Sequence, residues 1–178
     1  MCSSDLPDMT HVFIQCGVGS LAGSLQSYLV EKFGLQRQLL TIVEPTKAAC
    51  YYQSMIAEDG QPHKVEGDLD TIMAGLACGE PNVLSWPILN NYADAFVACP
   101  DEISARGMRM LGNPLQGDDR VISGESGAVT LGLFARIMEQ PELAPLKMAL
   151  NFQPSSRVLL FSTEGDTDPA MYRQIVWG

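Results

Sequence analysis

The stretch FIQCGVGSLAG, residues 13–23, is the part of the sequence that decides the fold. Its apolar beginning is typical of a buried strand, and residues 17–20 break that strand with two glycines before an amphipathic helix begins near Ser20. A strand, a glycine-rich turn and a helix start in this order expose several backbone N–H groups at the positive end of a helix. The stretch therefore predicts an anion site, and a phosphate is the anion we expect.

Strands and helices alternate over the rest of the chain. The hydrophobic pattern predicts strands at residues 11–16, 39–43, 95–99 and 158–161. It predicts helices from residue 20 to the glycine at 34, from Asp68 to residue 76, over 86–94, from Asp101, from residue 124 and over 169–176. The first two helices are expected to bury Leu21, Leu25, Tyr28 and Leu29, and Leu69, Ile72, Met73 and Leu76. This order predicts an α/β fold, a three-layer, open and mostly parallel sheet with helices on both faces.

Composition argues against several classes of protein. The 178 residues are 46% hydrophobic and only 18% charged, which is typical of a globular domain with its own core. The net charge of -10 is unsuited to binding nucleic acid or an acidic membrane surface. No segment reaches the roughly 20 uninterrupted apolar residues of a membrane span, and residues 1–10 lack the pattern of a signal peptide. We therefore expect a cytoplasmic protein with no nucleic-acid or membrane partner.

The five cysteines are not spaced like metal ligands. Cys2, Cys16, Cys50, Cys78 and Cys99 show neither CxxC spacing nor pairing with the two histidines, so we expect no metal site. A reducing cytoplasm favours free thiols. Cys50 and Cys78 alone stand at loop positions beside the expected crevice, and a bond between them would need Cα atoms within about 7 Å of each other.

The glycine turn alone leaves three interpretations open. It is a tight turn without a ligand, a dinucleotide site, or the phosphate site of another cofactor such as pyridoxal phosphate. The dinucleotide interpretation has support, because Gly17, Gly19 and Ala22 satisfy the GxGxxG/A pattern. Glu44 also ends the next strand, about 20 residues further on, where a ribose-binding acid belongs.

Two distant stretches favour the pyridoxal-phosphate interpretation. SGESGA at residues 123–128 and STEGDTD at residues 162–168 both lie where a strand or turn meets the carboxyl edge of the sheet. That edge is the usual ligand crevice of open α/β sheets. With the glycine turn, these stretches resemble the fold type II pyridoxal-phosphate enzymes, the group of the tryptophan synthase β-subunit, threonine deaminase and cysteine synthase. The resemblance implies the carboxyl-terminal part of that fold.

Within this group the chain resembles the diaminopropionate ammonia-lyases. The resemblance runs from about Thr10 to Trp177 and is carried by blocks in the same order: THVFIQCGVGSLAG, IVEPTKAACYY, GDLDTIMAGLACGEPN, GMRMLGNP, RVISGESGAV and STEGDTDPAMYRQIVW. It implies a pyridoxal-phosphate-dependent lyase of amino-acid degradation. Such an enzyme converts 2,3-diaminopropionate to pyruvate and ammonia by α,β-elimination. The resemblance also implies a homodimer.

The resemblance further implies roles for single residues. The turn that cradles the cofactor phosphate consists of Gly17, Val18, Gly19 and Ser20. Ser162 supplies the hydroxyl that faces the pyridine nitrogen, with Thr163 as an alternative, and Glu125 lies near the ring. Apart from the resemblance, Asp168 is expected to cap the last helix and Glu44 to anchor the loop after its strand.

Enzymes of this group hold the cofactor as a Schiff base on a lysine in their amino-terminal half, and no lysine here matches that motif. The lysines of this chain are Lys32, Lys47, Lys64 and Lys147. We therefore expect a carboxyl-terminal fragment that is inactive alone and contributes no catalytic residue. Residues 1–9 are expected to be a non-native or disordered leader, and residues 10–178 a partial cofactor-binding domain. A non-catalytic or Rossmann-type dinucleotide-binding domain is the alternative.

Overall fold

The computed structural model describes residues 8–178, so most of the predicted leader lies outside the described residues. The strands are β1 (His11–Gln15), β2 (Leu39–Pro45), β3 (Ala95–Cys99) and β4 (Val158–Leu160). The helices are α1 (Ser20–Phe33), α2 (Cys50–Ile56), α3 (Trp86–Tyr92), α4 (Asp101–Gly112), α5 (Glu125–Glu139), α6 (Ala144–Ala149) and α7 (Pro169–Trp177). The strands lie where the hydrophobic pattern predicts them. The sequence pattern missed α2 and α6, which are only seven and six residues long.

The strands form one parallel sheet in the order β3-β2-β1-β4. β1 lies in the interior of the sheet, where Phe13 pairs with Thr41 of β2 on one side and with Leu160 of β4 on the other. Each pairing is parallel, so the carboxyl ends of the strands meet at one edge. The glycine turn after β1 and the segment after β4 are therefore neighbours in space, although they are far apart in sequence.

Helices cover both faces of the sheet, which confirms the predicted three-layer α/β fold. Val12 and Ile14 of β1 point to the face that α1, α2 and α3 cover. Phe13 points to the opposite face and packs in one cluster with Ile103 of α4 and Val129 of α5. Every residue of β1 is buried, as expected for an interior strand of a sheet covered on both sides.

The first helix presents a different face to the core from the predicted one. Its buried residues are Ala22, Gly23, Gln26 and Leu29. Leu21 and Tyr28 are instead 47% and 38% exposed, so their predicted burial is wrong. A Cβ at Gly23 would lie 2.6 Å from the hydroxyl oxygen of Ser85. The close contact between Gly23 and Ser85 thus sets which face of α1 is buried. A pattern of large apolar residues does not reveal such a contact.

The helix predicted from Asp68 to residue 76 does not form. Leu69 has a φ of 50°, and only a short 3₁₀ turn, Ala74–Leu76, is present. Asp68 accepts a hydrogen bond from the amide of Asp70 at 3.1 Å in a local turn, and does not cap a helix. The helical spacing of apolar residues did not predict the structure here, because Met73 and Leu76 belong to an irregular loop and are buried in the core without a helix.

Asp101 does not cap α4 as predicted. Pro100 occupies the cap position, and Asp101 lies in the first turn of the helix. Its carboxylate accepts hydrogen bonds from the hydroxyl of Thr71 and the amide of Ile72. Asp101 therefore anchors the irregular loop to α4, while its charge still suits the positive end of the helix.

α4 and α5 cross with their backbones in contact. A Cβ on Gly107 of α4 would overlap the carbonyl of Ala128, and a Cβ on Gly132 of α5 would overlap the carbonyl of Ile103. The hydroxyl of Ser104 also donates a hydrogen bond to the carbonyl of Glu125 at the start of α5. The position of the amino-terminal end of α5 is therefore fixed by a crossing that only glycine allows.

Gly132→Ala is expected to lower the free energy of unfolding by about 1–3 kcal/mol, because the added methyl group must push two backbones apart. Gly112→Ala is the matched control, since a Cβ there meets only side-chain atoms of Tyr172 and Val176. Both changes replace a glycine within a helix. That replacement by itself raises the free energy of unfolding by roughly 0.5–1 kcal/mol, because alanine has the higher helix propensity. Urea denaturation measures both effects, and equal stabilities of the two variants would contradict the close crossing.

Candidate functional site

A cavity of about 610 Å³ lies at the carboxyl edge of the sheet. Residues 15–22 form one wall, and the loop residues Gly75, Leu76 and Cys78 form another. The remaining lining comes from Ser126 at the start of α5 and from residues 163–165 and Thr167 after β4. The parallel sheet brings these distant parts of the chain together, so the fold itself positions the cavity.

The residues of the glycine turn line this cavity, and their amides have no acceptor in the described chain. Gly19 has φ 92° and ψ 0°, which lies in the left-handed region, and α1 begins at the next residue. Within residues 8–178, the amides of residues 17–22 have no hydrogen-bond acceptor. An anion placed here would accept hydrogen bonds from these N–H groups and would lie at the positive end of a 14-residue helix.

Two buried polar side chains on the cavity wall, Gln15 and Ser126, each have an oxygen atom without a partner in the described chain. Gln15 is 3% exposed and Ser126 is 5% exposed. Gln15 Nε2 donates to Thr163 Oγ1 at 2.7 Å, but Gln15 Oε1 and Ser126 Oγ have no hydrogen-bond partner within the described residues. A buried polar atom without a partner is costly. Both atoms are therefore available to a polar group that enters the cavity.

The stretches at residues 123–128 and 162–168 are joined by three hydrogen bonds. The amide of Gly124 donates to the carbonyl of Glu164 at 2.9 Å, and the amide of Ser126 donates to the Glu164 carboxylate at 2.8 Å. Ser162 Oγ donates to Ser123 Oγ at 2.9 Å. The Glu164 carboxylate thereby caps the amino-terminal end of α5, where a negative charge is favoured.

The predicted site residues fall into two groups. Those that line the cavity are Gly17, Val18, Gly19, Ser20 and Thr163. Ser162 and Glu125 are neighbours of lining residues, and the Ser162 hydroxyl is directed to Ser123. Sequence reasoning missed Gln15 and Glu164; Gln15 is the only polar residue between Phe13 and the first glycine, which is the one signal that pointed to it.

The sequence from residue 2 to residue 153 matches the family model described as pyridoxal-phosphate dependent enzyme. The chain belongs to this family. The match covers the glycine turn, the irregular loop and the start of α5, which are three of the four parts that line the cavity. Pyridoxal phosphate, the cofactor of the family, suits the site because the free amides offer donors for its phosphate and the unpaired atoms offer partners for its polar ring groups.

Diaminopropionate ammonia-lyases are similar to this member of the family over nearly its whole length. The enzyme of Salmonella typhimurium is 48% identical over 176 residues, which are 98% of this chain and 43% of that protein. The holo enzyme of Escherichia coli superimposes with a TM-score of 0.86 at 48% identity, over 95% of this chain and 41% of that one. The Escherichia coli enzyme in complex with D-serine gives a TM-score of 0.85 at 47% identity, with the same coverage. This chain thus spans less than half the length of these relatives.

The buried carboxyl of Glu44 argues against the dinucleotide interpretation. Glu44 is fully buried, and its two oxygens accept the amides of Tyr51 at 2.9 Å and Tyr52 at 2.7 Å. It therefore caps α2 and is not free to bind a ribose. Burial raises the pKa of Glu44 to about 7, although the two amide hydrogen bonds lower it in part.

The lysines and cysteines of this family member lie as follows. Lys47 pairs with Asp68 at 3.7 Å and is 60% exposed, and within residues 8–178 no lysine lines the cavity.

Cys50 and Cys78 are free thiols, so the bond considered between them is not formed. Burial raises the pKa of the Cys50 thiol to about 12, which keeps it protonated near neutral pH.

Three further sequence predictions concern the cap of the last helix, membrane spans and metal sites. Asp168 caps α7 as predicted, because its carboxylate accepts the amides of Ala170 and Met171 at 3.0 Å each. No helix within residues 8–178 has the length and apolar character needed to cross a membrane. In the same range, no cluster of three or more His, Cys, Asp or Glu side chains could hold a metal ion.

Glu44→Gln is expected to change how stability depends on pH. The folded pKa of Glu44 is about 7 against an ordinary value of 4.5, so between these values the folded chain binds more protons than the unfolded chain. The contribution of Glu44 to the free energy of unfolding is therefore fully present below pH 4.5. It is lost as the pH rises through 7, and the loss is on the order of 3 kcal/mol. Urea denaturation of both proteins at pH 5 and pH 8 gives the difference directly. Parallel profiles for wild type and variant would contradict the buried, ionisable carboxyl.

Proposed function

We propose that this chain forms the phosphate-facing and ring-facing side of the pyridoxal phosphate site in an enzyme that eliminates ammonia from 2,3-diaminopropionate. The observation that carries the proposal is the row of amides without acceptors at residues 17–22, which line a cavity together with residues 163–165 and Thr167. The similarity to the Salmonella typhimurium diaminopropionate ammonia-lyase supports the choice of substrate. A homodimer and a cytoplasmic location are part of the same proposal.

The glycine turn holds the phosphate in this proposal. The amides of Gly17, Val18, Gly19 and Ser20 are the donors, and the Ser20 hydroxyl adds another. The net charge of -10 provides little general attraction for an anion, so local dipoles must supply the binding. The task of the turn is to place the cofactor, and it takes no part in bond breaking.

The hydroxyls after β4 lie on the ring side. Bound pyridoxal phosphate supplies an electron sink for the negative charge that forms at the substrate α-carbon. Ser162 is the proposed partner of the ring nitrogen, and it would have to turn from Ser123 to reach it. Thr163 is the alternative, and its hydroxyl is already oriented by Gln15. A neutral hydroxyl does not hold a proton on the ring nitrogen as a carboxylate would, which favours elimination over transamination.

Glu125 is the proposed acid beside the ring. It lies in the first turn of α5 and is partly buried. Burial raises the pKa of its carboxyl, and the nearby carboxylates of Glu164 and Asp168 raise it further. A raised pKa makes the carboxyl easier to protonate, so Glu125 is suited to donate a hydrogen bond to an oxygen of the cofactor.

None of the four lysines is proposed to hold the cofactor covalently. Lys64 pairs with Glu80 at 2.9 Å, and Lys32 lies over the Tyr28 ring, so both are engaged away from the cavity. Incubation of this chain with pyridoxal phosphate and borohydride should therefore give no single-site lysine adduct. Mass spectrometry of a peptide digest detects such an adduct, and one stoichiometric adduct would overturn this part of the proposal.

The function itself is tested in a chimera in which this chain replaces the matching 43% of the Salmonella typhimurium enzyme. The chimera should convert 2,3-diaminopropionate to pyruvate and ammonia, and Ser162→Ala should lower both cofactor affinity and turnover. Pyruvate formation is followed with a coupled dehydrogenase. A folded chimera that binds pyridoxal phosphate without forming pyruvate would contradict the proposed reaction. A chimera that binds no cofactor would favour the non-catalytic alternative.

Gly19→Ala is expected to raise the Kd for pyridoxal phosphate tenfold or more, which is about 1.4 kcal/mol. The added methyl group would be strained at φ 92° and would overlap the ring of Tyr51. Gly34→Ala is the matched control, because Gly34 ends the same helix at a φ of 56° with no atom near its Cβ. Absorbance titration measures both. Similar changes in Kd for the two variants would contradict a phosphate site at the turn.

A further inference from the structure

The carbonyl of Val18 is held by two residues that do not line the cavity. Tyr51 Oη donates to Val18 O at 2.9 Å, and the amide of Asn82 donates to the same oxygen at 2.8 Å. In a trans peptide the C=O and the following N–H point in opposite directions. The amide of Gly19 is therefore turned to the other side of this peptide, and it has no acceptor within residues 8–178.

The Tyr51 side chain is held in place by its packing. It is fully buried, and its ring lies 6.0 Å from the ring of Trp86. Its hydroxyl and ring fill the space in which a Cβ on Gly19 would lie. The left-handed glycine and the tyrosine thus fit each other, and the tyrosine hydroxyl is the group that fixes the direction of the Val18 carbonyl.

Glu44 in turn fixes the helix that carries Tyr51. Its carboxyl oxygens accept the first amides of α2, at 2.9 Å from Tyr51 and 2.7 Å from Tyr52. Among the ion pairs of the described residues none includes Glu44, so this fully buried carboxyl is held by the two amides and by a hydrogen bond with the Cys50 side chain. The thiols of Cys16 and Cys50 are its titratable neighbours, and burial keeps both protonated near neutral pH. Glu44 ends β2, next to the strand that leads into the turn, so it ties α2 to the sheet at this edge.

We infer that Glu44 and Tyr51 are positioning residues for the phosphate of the cofactor: Glu44 places α2, and the Tyr51 hydroxyl orients the Val18–Gly19 peptide so that its N–H faces the cavity. This inference rests on the proposed function, because it requires the turn to be the phosphate site. It assigns neither residue a direct contact with the ligand. Loss of the Tyr51 hydroxyl leaves the Val18 carbonyl with one hydrogen bond and lets the peptide rotate.

The test compares three ligands on this chain: pyridoxal phosphate, inorganic phosphate and pyridoxal, which lacks the phosphate. Tyr51→Phe should raise the Kd for pyridoxal phosphate and for inorganic phosphate about tenfold, and leave the Kd for pyridoxal within about twofold. Glu44→Gln should give the same selectivity with a smaller change, because glutamine keeps one acceptor oxygen for α2. Tyr172→Phe is the matched control, since it removes a buried tyrosine hydroxyl that has no partner among residues 8–178 and lies outside the cavity lining.

The outcomes separate this inference from the proposed function. An equal loss of affinity for pyridoxal and pyridoxal phosphate would show a general structural role and overturn the inference, as would unchanged phosphate affinity in both variants. Thermal unfolding monitored by circular dichroism shows whether each variant is folded. If Tyr51→Phe does not fold, the ligand affinities of Glu44→Gln test the inference. If the wild-type chain binds neither phosphate ligand, the proposed function fails and the inference falls with it.

Discussion

The left-handed backbone at Gly19, packed against Tyr51, is the constraint on which the site depends. It ends the straight path of β1, starts α1 at the next residue, and leaves the amides of residues 17–22 without acceptors. A side chain at this position would displace the tyrosine that fixes the Val18 carbonyl. The same glycine thus shapes the turn and leaves its amides without acceptors, so the fold and the proposed phosphate site have one local cause.

The parallel sheet converts this local feature into a cavity. Because β1 lies between β2 and β4, the glycine turn meets Glu44 on one side and the segment after β4 on the other. Glu164 then connects that segment to the start of α5 through its carbonyl and its carboxylate. The glycine crossing of α4 and α5 holds α5 in place. Strand ends, helix starts and the hydrogen bonds between them therefore hold the cavity wall, as the proposed cofactor site requires.

Much of the fold could be predicted from the sequence, because the strands are mostly apolar segments that end near glycine, proline, polar or charged residues. The conformation of the glycine turn and the capping of α7 by Asp168 could also be predicted, because both depend on neighbouring residues in the sequence. The helix expected from Asp68 failed because burial of Met73 and Leu76 comes from tertiary packing of a loop, which has no period of its own. Gln15 and Glu164 were missed because their partners are more than 35 residues away in sequence, at Thr163 and Ser126. The rotation of α1 was missed because a close contact at Gly23 leaves no apolar signal.

The most direct measurement of the central claim is an NMR titration of the ¹⁵N-labelled chain with pyridoxal phosphate. Our structure predicts that the amide resonances of residues 17–22 shift most, because these N–H groups gain an acceptor, and that Ser126 and Thr163 at the far wall shift as well. Inorganic phosphate should move the amides of the turn and leave those of the far wall nearly unchanged. Shifts confined to residues outside the cavity, with the amides of the glycine turn unmoved, would contradict the assignment of this turn as the phosphate site.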